Sequence, residues 1–340
     1  MKKLYLILSL LALAFGFNSC STDVDLYADY KDIPVIYGLL DASLDTNYVR
    51  INRAFSGSDD HPINANEVAL IADSCNYPGK LKAYFVEYKN TYGTEYVPSG
   101  RDTIFLDTIT IHNKQEGTFY APNQKVYFTD KPFYVNDANV RYKYKLDVHR
   151  GSDTITSETG LVGGDNFKII NSKVSFSSDP SDRTAKITFM PADNAVFYNV
   201  QMAFYYREER NGEITYKHVD KDFGARSEET GLEYEDGHYY VSYPENLLFN
   251  LLEDAIGADT FNVSRYMGDF VIFIAAGGDE LYNYIQVNSQ TGFSQTVPDY
   301  TNIIGGYGVL SSRINLQKTV MLSARAQSDI LNKPWRFRPE

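Results

Sequence analysis

Cysteine is almost missing: 340 residues contain two, Cys20 and Cys75. A chain of this size with so few thiols has no disulfide framework, so its hydrophobic core must be sufficient. Tryptophan occurs once, as Trp335, which argues against a module dedicated to stacking on sugars. The histidines His61, His112, His149, His218 and His238 stand far apart and show none of the paired spacings of zinc sites. No serine sits in a nucleophile elbow, and Asp and Glu are too numerous for one acid and base to be chosen. No catalytic residue, metal or cofactor is therefore expected. Positive charge is also scarce, with 32 Lys and Arg against 44 Asp and Glu and a formal net charge of −12. Such a surface repels phosphate backbones, which excludes a nucleic-acid partner. No apolar run reaches the roughly 20 residues that a membrane-spanning helix needs.

The longest apolar block, Leu4 to Phe17, follows Lys2 and Lys3 and closes on small or polar residues just before Cys20. That is the layout of a secretory signal. The string "FNSC" resembles the bacterial lipobox, in which the cysteine becomes the first mature residue and carries the lipid. Residues 1–19 are then a lipoprotein signal peptide and residues 20–30 a lipidated tether, with Cys20 as the attachment site. Each buried methylene contributes roughly 0.8 kcal/mol, so several acyl chains on one cysteine hold a protein on a membrane where a single chain binds marginally. Removal of Lys2 and Lys3 takes the formal charge to −14. Cys75 has no partner left within the chain and is expected to be a buried, inert, small apolar residue.

What the sequence has in excess is tyrosine and phenylalanine, 28 and 20 residues, which with 23 glycines favours strands over helices. In "VRYKYKLDVHRG", Val140, Tyr142, Tyr144, Leu146 and Val148 alternate with Arg141, Lys143, Lys145, Asp147 and His149. Period two puts the apolar set on a core and the charged set in water. The basic stripe is read as a solvated strand face, with an anionic ligand as the alternative. Gly151-Ser152 then turns the chain into a second β-rich run. Earlier strings such as "DIPVIYGLLD", "KLKAYFVEYKN" and "DTIFLDTITIH" are short β-branched and aromatic runs parted by Gly, Pro, Asn and Asp, at a spacing that suits an antiparallel sandwich. "ANEVALIADS" permits a short helix as readily as a strand.

The pattern lapses across Gly160 to Asn171 and restarts with Ala185, Ile187 and Phe189. Asn211-Gly212 between charged strand ends is a hairpin signal, because both positions tolerate the positive φ of a type I′ turn. One helix is expected near 245–256, with Pro244 at its entry, Leu248, Leu251, Leu252 and Ile256 on one face, and Gly257 at its exit. "GDFVIFIAAGG" reads as a strand buried on both sides, central to its core. The fold class is all-β: two tandem immunoglobulin- or fibronectin III-like antiparallel β-sandwich domains, 31–163 and 164–340, the second carrying the helix.

Two strings look like chemistry and are set aside. "GGDEL", from Gly277 to Leu281, differs by one residue from a cyclase signature, but its context is a turn after a strand. "IIGGYGVLSS" lacks the lysine of a phosphate loop, so its glycines are expected to serve a bulge or tight turn. The acidic clusters "GSDD" and "DKDFG" do not repeat the spacing of a calcium loop.

"DIPVIYGLLD", "GTFYAPNQKVYF" and above all "YIQVNSQTGFSQTVPDYTNIIGGYGVLSSR" resemble surface lipoproteins of Bacteroidota gathered as domain of unknown function 4249. Asn302-Ile303-Ile304-Gly305-Gly306-Tyr307-Gly308 is similar to that family's closing asparagine and glycine signature. The resemblance covers nearly the whole mature chain. It implies a lipid-anchored outer-membrane protein that works beside a TonB-dependent barrel protein, and brings no enzyme activity. Asp23 and Asp25 look like a weak form of the acidic export signal of such lipoproteins, which implies the cell surface. Thr103, Thr108 and Thr154, each in an Asp-Thr-Ile triplet, resemble the short O-glycosylation sequence of these bacteria; the same triplets also suit strand starts. The expected role is a non-enzymatic binding or accessory subunit of an outer-membrane complex, with a glycan or peptide as ligand. A structural or adhesive pilus-type subunit is the alternative, and a hydrolase is the third reading.

Overall fold

The computed structural model describes residues 32–339, apart from 55–68, 92, 94, 113, 118–119, 135, 180–182, 258–260 and 290–299. Cys20, the signal and tether at residues 1–30, and the "GSDD" cluster lie outside the described residues. Strands dominate, so the all-β expectation stands. The largest sheet joins β1 (Ile33–Leu40), β2 (Asn47–Ala54), β6 (Asp107–Ile111), β7 (Gln124–Thr129), β12 (Phe197–Arg210), β13 (Glu213–Arg226), β16 (Val263–Gly277) and β17 (Tyr307–Leu322). Its order is β13-β12-β16-β17-β1-β2-β7-β6, with β10 (Lys173–Val174) beside β17 and β18 (Phe337–Arg338) beside β16.

Two smaller sheets cover this one. The first contains β3 (Lys82–Thr91), β4 (Val97–Pro98), β5 (Ile104–Phe105), β8 (Val140–Arg150) and β9 (Asp153–Gly160). Phe85, Tyr144, Leu146, Val148 and Ile155 from it meet Ile36, Leu40, Val49, Ile51 and Tyr127 of the large sheet in one core. The second contains β11 (Thr184–Phe189), β14 (Glu233–Glu235) and β15 (His238–Pro244). Ile187, Phe189, Val241 and Tyr243 there pack with Val200, Phe204, Ile272 and Ile274 in a second core. Both cores are sheet-on-sheet layers whose inward residues alternate with outward ones along each strand. Core residues up to Leu161 belong to the first and those from Val162 to the second, except Ile303 and Leu310, which return to the first; the large sheet runs through both.

The local expectations can be followed residue by residue. On β8, Tyr142, Tyr144, Leu146 and Val148 are buried as the alternation requires. Asn211 and Gly212 take φ values of 53° and 86° between β12 and β13, the left-handed pair of a two-residue hairpin. β16 is hydrogen-bonded to β12 on one side and β17 on the other, so it is central. Within 65–74, the short helix α1 (Ala72–Cys75) begins. The expected helix is α2 (Leu247–Ile256), closed by Gly257 at φ 52°. Its buried residues are Leu248, Phe249, Leu252 and Ile256. Trp335 stacks on Phe249 and donates from Nε1 to Glu253 Oε2 at 2.9 Å, so the lone tryptophan is a core residue. Two helices went unread: α3 (Asp279–Ser289) and α4 (Ala324–Asn332), the latter capped by Ser323 Oγ accepting from Ala326 N. The Asp and Glu of "GGDEL" thus open α3 instead of sitting in a turn.

The first and last long strands pair directly. β1 and β17 run parallel, with Ile36 opposite Gly308. A Cβ on Gly308 would stand 1.9 Å from the Ile36 carbonyl oxygen, and the residue has φ 111°, where side chains are strained. A Cβ on Gly306 would stand 2.6 Å from the Pro34 oxygen. Asn302 mimics a further strand: its Nδ2 donates to Leu310 O at 2.7 Å and its Oδ1 accepts from Leu310 N at 3.0 Å. Its own carbonyl accepts from Ser157 Oγ, and Thr156 exchanges backbone bonds with Ile304. The "NIIGGYG" segment therefore ties β9 and β1 to β17, a role wider than the bulge or turn expected of it.

Gly308→Ala should cost about 3 kcal/mol or more from backbone strain plus a clash with a strand that cannot retreat. Gly305→Ala is the matched control: φ is 86° but the nearest atom to its Cβ is 3.8 Å away. It should cost about 1 kcal/mol. Urea unfolding of the two variants measures the difference, and equal losses would refute the close-approach account.

Candidate functional site: an amide-lined groove on the large sheet

The residues singled out in the sequence are not gathered into one place. Thr103 is exposed before β5, Thr108 is half-buried in β6, and Thr154 is exposed on β9 with its Oγ1 3.1 Å from His149 Nδ1. The basic stripe of β8 is matched by carboxylates: Arg141 with Asp193 at 2.8 Å, Lys143 with Glu158 at 2.8 Å, and Lys145 with Asp147 at 2.9 Å. Cys75 is buried, with Sγ 3.5 Å from Ala69 O, in keeping with an inert thiol. Among the described residues, no three His, Cys, Asp or Glu side chains converge as a metal site.

A large hollow lies instead on the outer face of the C-terminal half of the large sheet. Alternation along β12 sends Val200, Met202 and Phe204 into the core and turns Asn199, Gln201 and Tyr205 the other way. Strand register then lines up neighbours across the sheet. Asn199 stands opposite Ala275 of β16, which stands opposite Asn315 of β17. The next row is Gln201, Phe273 and Gln317. These side chains, with Tyr205, His218 and Asp220, border an open groove of about 730 Å³. Ligand sites commonly occupy about 300–1,000 Å³.

Irregularities in the flanking strands bracket the groove. On β13 the register to β12 shifts between Asn199 and Gln201, with Gly224 at φ 76° in the extra stretch. On β16 it shifts opposite Tyr205, where Gly268 lies so close that a Cβ would be 3.0 Å from the Tyr205 oxygen. Bulges bend strands and increase their twist. The walls differ in chemistry. Tyr205 and His218 rings lie 5.5 Å apart at 37°, with Asp220 Oδ1 3.6 Å from His218 Nε2. Gln201 Nε2 donates to Asp222 Oδ2 at 3.1 Å. Asn199 Oδ1 is buried without a hydrogen-bond partner. A neighbouring hollow of about 560 Å³ begins at Tyr205 and continues past Arg207, whose guanidinium lies 4.3 Å from the Tyr266 ring centroid.

Sequence reasoning passed over this face, although one signal was present. The outward residues of β12 from Asn199 to Tyr205 carry no formal charge, whereas those of β8 are mostly charged. A solvated strand face usually spends its outward positions on charge.

Two polar clusters elsewhere are structural. Glu87, buried between β3 and β8, accepts from Tyr144 OH at 2.5 Å and from Arg101 Nη1 at 2.7 Å, and Arg101 lies 3.3 Å over the Tyr134 ring. Burial, chiefly, pushes the Tyr144 phenol well above its ordinary range. Where β9, β17 and α3 meet, Glu280 Oε2 accepts from Ser311 Oγ at 2.9 Å and Thr159 Oγ1 at 3.0 Å. Beside it, Ser312 Oγ donates to Leu40 O at 3.0 Å. Burial pushes the Glu280 carboxyl up, outweighing its own backbone N–H and the two hydroxyl donors that favour the ionised form.

A raised folded-state pKa on an acid means that the folded protein holds the proton more tightly than the unfolded chain. Stability is then lost as pH rises from the unfolded value to the folded one, and the loss persists above it. Glu280→Gln, which keeps the shape without the charge, should therefore unfold at an equal or higher temperature than wild type at pH 7. The gap should close by pH 4; thermal melts at both values decide it, and a variant less stable at pH 7 but not at pH 4 would reverse the sign. No family model matches this chain, and no curated protein does.

Proposed function

We propose that this protein is a lipid-anchored outer-membrane lipoprotein, exposed at the cell surface, whose β body acts without catalysis as a binding or accessory subunit beside a barrel protein such as a TonB-dependent transporter. Lipid on Cys20 holds it there. The body is read as two immunoglobulin- or fibronectin III-like sandwiches that share a sheet, in keeping with the resemblance to the family of unknown function 4249. The observation that carries the reading is the amide-lined groove over Gln201 and Phe273: it offers hydrogen-bonding amides and ring surfaces, which suit recognition. Thr103 and Thr154 are exposed, which supports them as acceptors of O-linked glycan; Thr108 is less accessible.

Wild type should fractionate with outer membranes, show an acylated Cys20 by mass spectrometry, be cut by protease on intact cells, and bring one barrel protein with it under native conditions. Cys20→Ala should be released into the soluble fraction. An unmodified Cys20, or a Cys20→Ala variant that stays with the membrane, would overturn the anchor and the surface role together.

A further inference from the structure

We infer that the groove between the two strand irregularities binds a neutral oligosaccharide, a proposal that rests on reading the chain as a binding protein and names its ligand class. The argument begins with what the groove floor withholds. β12 is hydrogen-bonded to β13 and β16, and β16 to β17, so the backbone N–H and C=O groups beneath the groove are consumed by the ladders. An extended peptide draws most of its affinity from main-chain bonds at a sheet edge, and this face offers none. Recognition must come from side chains.

Those side chains are matched to hydroxyl groups. Gln201, Asn315 and Gln317 are exposed in the groove and each carries a carbonyl acceptor and an amino donor, the pair that vicinal hydroxyls satisfy by accepting and donating together. Asn199 Oδ1 is buried with no partner, which costs about 1–3 kcal/mol, and turning that side chain toward a hydroxyl in the groove would recover the energy. Phe273 lies in the row between Gln201 and Gln317, and Tyr205 stands at one end, so ring surfaces and amides alternate. An apolar C–H face of a sugar ring covers an aromatic while its rim of hydroxyls meets amides. Tyrosine and phenylalanine thus supply the stacking surface that the buried Trp335 does not.

Charge sets the class as neutral. Asp220 and His218 face each other, and Asp222 is engaged by Gln201 and by Gly224 N at 2.7 Å. No lysine or arginine lines the groove to meet a uronate or sulfate. With two carboxylates at its margin and a net charge of −12, the groove disfavours acidic sugars.

The test uses full-length protein in a detergent without a sugar headgroup, applied to an array of neutral gluco-, manno-, galacto- and xylo-oligosaccharides, uronate oligosaccharides and peptides. At least one neutral series should bind. Gln317→Ala and Tyr205→Ala should each weaken that binding at least tenfold, Tyr205→Phe should retain it, and Tyr134→Ala, at a separate hollow, should leave it unchanged. Asn315, Gln317 and Tyr205 are exposed, so the variants' urea midpoints should match wild type. A blank neutral series, binding confined to uronates or peptides, or variants that bind like wild type would overturn the proposal. Co-purification of a barrel protein alongside a blank array would overturn the ligand class alone and leave the accessory role standing.

Discussion

Two glycines allow the backbones of β1 and β17 to lie against each other, and the rest of the molecule is arranged around that contact. At Gly308 the Ile36 carbonyl occupies the space where any side chain would begin. At Gly306 the Pro34 carbonyl does the same. With the approach permitted, six consecutive residue pairs from Val35 and Tyr307 onward form a parallel ladder between strands that lie more than 260 residues apart in sequence. Parallel neighbours cannot be reached by a short turn, so the chain between them forms one long crossover. Asn302 completes the join by satisfying Leu310 with a side-chain amide and by receiving Ser157 from the covering sheet.

Because the ladder merges the two halves into one sheet, the two cores share a support. The N-terminal core uses one end of the large sheet and the C-terminal core the other. The polar seam at Glu280, Ser311 and Ser312 fills the place where β9, β17 and α3 come together. Hydroxyls suit such a seam: each bridges a backbone group or a carboxyl without requiring a second charge. The groove on the opposite side of β12 and β16 inherits its curvature from the strand irregularities at Gly224 and Gly268, and its rigidity from the packed core beneath.

Much of the local structure is readable in the chain. The alternation from Val140 to Val148, the Asn211-Gly212 turn, the helix that Gly257 closes and the doubly paired strand at Phe270 to Gly277 are short-range patterns, set by side-chain period and by which residues tolerate positive φ, whereas Pro244 ends β15 instead of opening the helix. α3 escaped notice because none of its residues is fully buried, so no apolar stripe marks it. α4 was similarly obscured: Ala326 and Ile330 are its two buried residues, too few to stand out in nine.

The sequence by itself determined an all-β chain with little use for disulfides, a net negative charge, and local features such as the Asn211-Gly212 turn. Those follow from composition and from contacts a few residues apart. Only the tertiary structure decided that β17 returns beside β1, that the signature glycines serve that approach, and that Asn199, Gln201, Phe273, Asn315 and Gln317 share one face. Register between strands is fixed by long-range packing, since a shift of one residue turns every side chain to the other face. Which distant amides become neighbours is therefore written in the assembled sheet and in no single stretch of the chain.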